Sequence, residues 1–129
     1  MGLRVLLDTN AVIALLKGNK NILDKIDGIE NIAISVISHI EFLSFSNLSE
    51  IDKLLFSKFK EQIEVIDVNT QNTVLIKTII LIRKTYKLKL PDAIIAASAI
   101  TSDALLITAD QDFSKISELQ SFILDDTQN

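Results

Sequence analysis

Apolar residues recur along this chain at two spacings. Short β-branched or leucine-rich runs predict strands at Leu3 to Leu7, Ile32 to Ser35, Ile63 to Val68, Ala104 to Thr108 and Phe122 to Leu124. Between them the spacing turns helical. A helix begins near Asn10 and is closed by Gly18, and a shorter one covers Lys20 to Ile26. Ser49 with Asp52 forms a capping box, after which Ile51, Leu54, Leu55 and Phe59 fall on a helical face. Asn72 to Tyr86 is apolar around most of its circumference, which places it in the core or in a subunit interface. Strands that are apolar throughout and alternate with helices predict an α/β fold. Its expected form is a central parallel sheet of four to five strands, flanked by helices on both faces. In such sheets ligands gather at the carboxyl ends of the strands.

Composition narrows this picture. With 129 residues, of which 48% are hydrophobic, one globular domain over residues 1–129 is expected. Three Gly and one Pro leave little room for linkers. The absence of Cys excludes disulfides, thiolate metal sites and a cysteine nucleophile. Because the first strand begins at Leu3 and no apolar run could span a bilayer, neither a signal peptide nor a membrane segment is expected, and a cytoplasmic location is. A net charge of -4 is the wrong sign for gripping nucleic acid by bulk electrostatics. A nucleic-acid partner needs a local basic patch or metal ions.

The first strand raises the chemical question, because "LRVLLDTNAV" runs from buried-looking residues straight into Asp8. Asp8 is either a helix cap or a metal ligand. Asp92, behind Pro91 in "KLPDAIIAASAI", either complements a helix dipole or joins a site. Asp110 in "LLITADQDF" follows the fourth strand as an N-cap or a ligand, with Asp112 two residues on. Glu41 interrupts the apolar stretch "ISVISHIEFLSF", on a solvated stripe or in the same site. All four fall at strand carboxyl ends or in helices near them. Acids brought together there repel one another unless cations neutralise them, and oxygen-only ligands suit Mg²⁺ or Mn²⁺. A pair of such ions suits phosphodiester cleavage. His39 reads as a partly exposed or hydrogen-bonded residue rather than a base.

In this order and spacing, "LLDTNAVIALLKG", "ISVISHIEF", "LPDAIIAASAI" and "LLITADQDF" resemble the motifs of PIN-domain ribonucleases, in particular the toxin subunits of VapBC-type toxin-antitoxin pairs. The resemblance covers nearly the whole chain. It implies a PIN-like α/β fold and Mg²⁺- or Mn²⁺-dependent endonuclease activity on RNA. It also implies homodimerisation and inhibition by a small antitoxin protein. By position Asp8, Glu41, Asp92 and Asp110 match the family's acidic quartet, as catalytic and metal-holding residues. Asp112 matches a frequent fifth acid and Thr108 a supporting hydroxyl, while Thr9 and Asn10 are expected to orient Asp8. His39 departs from the pattern, standing where a small or apolar residue is usual.

The implied chemistry is metal-assisted hydrolysis without a covalent enzyme intermediate. Arg83, Lys84, Lys87 and Lys89 precede Asp92, as a solvated helix end or as an RNA-phosphate clamp. Two other functions compete. A PIN nuclease can process RNA without any antitoxin. A phosphoacceptor or phosphatase domain also ends its first strand in Asp, but the phosphatase needs a second Asp where Asn10 stands, and a receiver needs a Lys where "TADQDF" stands.

Overall fold

Val5, Leu6 and Leu7 are completely shielded from solvent, which requires neighbours on both sides of their strand and layers above and below it. A computed structural model, describing residues 3–125, provides both. Five strands, β1 (Arg4–Leu7), β2 (Asn31–Ser35), β3 (Glu64–Ile66), β4 (Leu105–Thr108) and β5 (Ser121–Ile123), form one sheet in the order β3-β2-β1-β4-β5. Every pairing is parallel. The edge strands are shorter than their apolar runs: β3 pairs only through Ala33 to Ser35 of β2, so the Ile63 to Val68 run is strand over its centre alone. The last strand lies one residue earlier than its apolar run, at Ser121–Ile123.

Among the described residues six helices cover the sheet: α1 (Thr9–Leu16), α2 (Lys20–Ile26), α3 (Val36–Leu43), α4 (Glu50–Lys60), α5 (Thr73–Tyr86) and α6 (Leu90–Thr101). Leu6 and Leu106 pack with α5 and α6 on one face. Val5, Leu7, Ile34 and Ile107 point the other way, to Val12 of α1, Phe42 of α3 and Phe56 of α4. That alternation is the two-residue period of a strand, and it gives a core on each side. Burying each such side chain is worth about 1.5–3 kcal/mol.

Local signals explain the helix ends. Gly18 follows α1 at φ +80°, where a side chain would be strained. Ser49 and Asp52 make the reciprocal hydrogen bonds of a capping box on α4. Asn72 caps α5 through the Leu75 N–H, and Pro91 sits in the first turn of α6, where its missing N–H costs nothing.

From β1 the chain winds outward through β2 to β3, then returns by α5 and α6 to β4 on the other flank of β1. The strand order therefore reverses between β1 and β4. Beyond β1 the chain packs Ala11 and Val12 on one face, whereas beyond β4 it packs Phe113 on the opposite face. A crevice opens between their carboxyl ends.

Candidate functional site

Asp8 lies in that crevice. Its N–H still donates to Ile107 O as the last rung of the sheet, and its side chain turns to cap α1, accepting from the Thr9 N–H at 2.8 Å. It is 7% exposed. Thr108, fully buried at the end of β4, donates its hydroxyl to Asp8 Oδ2 at 2.7 Å and accepts from the Asp110 N–H at 3.0 Å. One hydroxyl thus ties the acid after β1 to the acid after β4. Asn10 Oδ1 accepts from the Ala109 N–H at 2.9 Å, and its amide reaches Asp8 Oδ2 at 3.4 Å. Asn10 accordingly clamps the exit of β4 more firmly than it orients Asp8.

The remaining acids come from helices and the β4 loop. Asp8, Glu41 of α3, Asp92 in the first turn of α6 and Asp110 line one concavity of about 480 Å³. Asp110 also caps the 3₁₀ turn Gln111–Lys115 through the Asp112 N–H at 2.9 Å. For Asp8 and Asp110 the cap and the crevice position are thus compatible, one geometry serving both. Ile13, Ile40 and Phe45 supply an apolar wall.

Electrostatics reflect the crowding. Burial, followed by the negative charges of Asp92 and Glu41, raises the Asp8 carboxyl above its ordinary value, against the lowering effect of the Thr108 and Thr9 hydrogen bonds. Asp92 is raised by burial and then by Asp110, Glu41 and Asp112, with Lys89 acting in the opposite sense. None of the four acids takes part in an ion pair among the described residues. Nor, among those residues, is any group of three or more Asp, Glu or His side chains already arranged to hold an ion.

The other candidates are dispersed. Asp112 is exposed and does not line the concavity, although its charge is felt at Asp92. His39 lies edge-on to Phe56 at 5.7 Å, outside the concavity, and burial followed by Lys60 lowers its pKa. Arg83, Lys84, Lys87 and Lys89 are all exposed at the end of α5 and the start of α6. Lys87 has a left-handed backbone, φ 56°, which stops α5. Ser38 is a site residue that the sequence reading misses. It is buried, and its hydroxyl meets that of Thr9 at 2.9 Å. Its position three residues before Glu41, on the same side of a helix, is the one signal that points to it.

An open parallel sheet with a crevice of acids at its strand-order reversal defines a class of site, and comparison with known proteins supplies the family. The model of the PIN domain matches residues 5–119, so this chain belongs to the PIN domain family, a family of nucleases that generally use divalent metals. No curated protein matches it in sequence. Among solved structures it is similar to VapBC2 from Rickettsia felis bound to a DNA fragment from their promoter, with a TM-score of 0.81 and 22% identity, covering 95% of this chain and 100% of that one. A toxin-antitoxin complex from Klebsiella pneumoniae gives a TM-score of 0.76 at 26% identity, over 93% of this chain and 99% of that one. VapBC-1 from nontypeable Haemophilus influenzae gives 0.76 at 22%, over 94% and 98%. The likeness bears out the PIN-like fold expected from the motifs. No helix among the described residues is long and apolar enough to cross a membrane.

Proposed function

We propose that this chain is a Mg²⁺- or Mn²⁺-dependent endoribonuclease of the toxin type, acting in the cytoplasm and held in check by a small antitoxin protein. The observation that carries the reading is that Asp8, Glu41, Asp92 and Asp110 line one concavity with no ion pair to balance them among the described residues. The donors are all oxygen, and two of the carboxyls resist ionisation because of burial first and neighbouring negative charge second. Both features fit a hard divalent cation. Asp8, Glu41, Asp92 and Asp110 are the residues that would hold it. Bound there, such an ion supplies a water of lowered pKa and charge to stabilise the departing 3′ oxygen.

The chain's own residues do the rest. Thr108 fixes Asp8 relative to Asp110, and Asn10 fastens the loop that carries Asp110. Phe45, exposed at the rim, offers a face on which an unpaired base can stack, which favours single-stranded or looped RNA. Arg83, Lys84, Lys87 and Lys89 lead into the helix of Asp92 and can neutralise phosphates there. The antitoxin part rests on the complexes to which the fold is similar and on an apolar groove of about 390 Å³ beside the acids, lined by Ile13, Leu16, Phe42, Phe45 and Leu48. A homodimer is supported by Val74, Ile80 and Leu81, three large apolar residues that α5 leaves exposed.

The deciding experiment is cleavage of single-stranded RNA by the purified chain with Mn²⁺ or Mg²⁺. Activity that chelator removes and metal restores is the expected result. Cleavage that persists in chelator overturns it. Arrested growth on expression, relieved by co-expressing a neighbouring small protein, would support the toxin role. Unimpaired growth would favour an RNA-processing nuclease without an antitoxin.

A further inference from the structure

Two hydroxyls outside the acidic set connect to it in sequence. Ser38, 1% exposed on α3, shares a 2.9 Å hydrogen bond with Thr9 Oγ1. Thr9 Oγ1 lies 2.5 Å from Glu41 Oε1, and the Thr9 N–H donates to Asp8 Oδ1. Each hydroxyl carries one proton, whereas an ionised carboxylate only accepts. The Thr9 hydroxyl is therefore the donor toward both Glu41 Oε1 and Ser38 Oγ, its single proton shared between the two acceptors. No buried side-chain polar atom among the described residues lacks a partner.

The arrangement follows from topology. Thr9 opens α1 directly after β1, and α3 rises directly from β2, the strand paired with β1. Ser38 and Glu41 are three residues apart, so both reach the same point on α1. We propose that Thr9, oriented by Ser38, is a positioning residue that locks Glu41 to Asp8. One oxygen of each carboxylate is held by Thr9, and the second Glu41 oxygen is left for the concavity. The inference rests on the reading of Asp8 and Glu41 as metal-holding acids. Glu41 has several rotatable bonds and is half-buried, so without this anchor it must be ordered at the moment a ligand binds.

Mn²⁺ affinity measured by calorimetry tests it, together with the NMR signal of the Thr9 hydroxyl proton in metal-free protein. Thr9→Val keeps the shape but removes the donor, and is expected to weaken Mn²⁺ binding by about 10–100-fold, the usual effect of losing a group that orients a ligand. Thr9→Ser restores the hydroxyl and is expected to restore affinity. Ser38→Ala is expected to weaken binding about fivefold, the worth of one net hydrogen bond, and to abolish slow exchange of the Thr9 hydroxyl proton. Thr9→Val binding Mn²⁺ like the parent, while Asp8→Asn does not bind, overturns the positioning role and leaves the metal reading intact. Should Thr9→Val fail to fold, parent-like affinity in Ser38→Ala overturns it equally. The hydroxyl signal needs no metal. A parent that binds no Mn²⁺ overturns the metal reading, and the chain of hydroxyls then stands or falls on that signal.

Discussion

At the amino ends of the strands, Arg4 of β1 reaches across β2 to form an ion pair with Glu64 of β3. At the carboxyl ends of the same sheet, Asp8, Glu41, Asp92 and Asp110 line one concavity, and none of them forms an ion pair among the described residues. Both edges are polar borders of one core. Only one is arranged for stability. A surface pair such as Arg4 with Glu64 contributes little, about 0–1 kcal/mol, because the entropy lost in ordering two long side chains offsets most of the Coulomb gain. The acidic edge is electrostatically unfavourable in the metal-free protein, and its buried member, Asp8, is kept in place by hydrogen bonds from Thr108 and Thr9. Such an unfavourable edge persists because the rest of the core over-determines it.

The largest expected effect is on catalysis. Asp8→Asn or Asp92→Asn should reduce RNA cleavage below detection while circular dichroism shows the fold retained. Glu64→Gln, at the opposite edge, should cleave like the parent. Equal losses from both edges would erase the distinction. A smaller effect concerns the basic segment flanking the acidic edge. Lys87→Gly with Lys89→Ala should weaken RNA binding and lower the slope of log affinity against log salt by about one for each phosphate no longer neutralised. Glycine is the replacement at Lys87 because the left-handed backbone there strains any residue with a side chain. An unchanged slope makes this segment a solvated helix end.

Stability should move in opposite directions at the two edges. Asp110→Asn keeps the cap on the 3₁₀ turn, since Asn accepts as well as Asp, but removes a charge that acts on Asp92. In chelator near neutral pH it should melt higher than the parent, by up to about 1 kcal/mol after allowing for solvent screening. Added Mn²⁺ should stabilise the parent more than the variant. The sign with pH follows from the raised Asp8 and Asp92 values. Because the folded state retains protons that the unfolded chain has released, this contribution to stability is lost as pH rises from about the ordinary 3.8 through the raised values. Thermal melts from pH 3 to 8 should show the Asp110→Asn advantage growing across that window and shrinking with metal. The smallest effect is at the paired edge, where Glu64→Gln should cost no more than about 1 kcal/mol, with no dependence on metal.

Much of this was legible along the chain. Apolar runs on successive residues reported a sheet buried on both faces, and Ser49, Asn72, Pro91 and Gly18 marked helix ends because caps are local chemistry. The placing of all four acids at or near strand carboxyl ends also followed from sequence alone. Less legible were the contacts between segments distant in sequence. Asn10 and Ala109 are 99 residues apart, and Thr108 and Asp8 are 100 apart, so no local pattern reports that they touch. Thr9 meets the same limit: its backbone holds Asp8, as expected of a cap, but its side chain belongs to Glu41 on another helix. Ser38 carries only one signal, its place one helical turn before Glu41, and its partner Thr9 is visible only when α3 is laid beside α1.

The sequence by itself determined which segments become strands and helices, because periodicity and capping are properties of neighbouring residues. It also determined that the acids carry oxygen ligands alone. Only the tertiary structure decided the strand order, and with it the reversal between β1 and β4 that opens the crevice. The physical reason is that burial and charge are collective. A carboxylate becomes difficult to ionise only when other segments exclude water from it and bring further negative charge alongside, as Asp8 and Asp92 show.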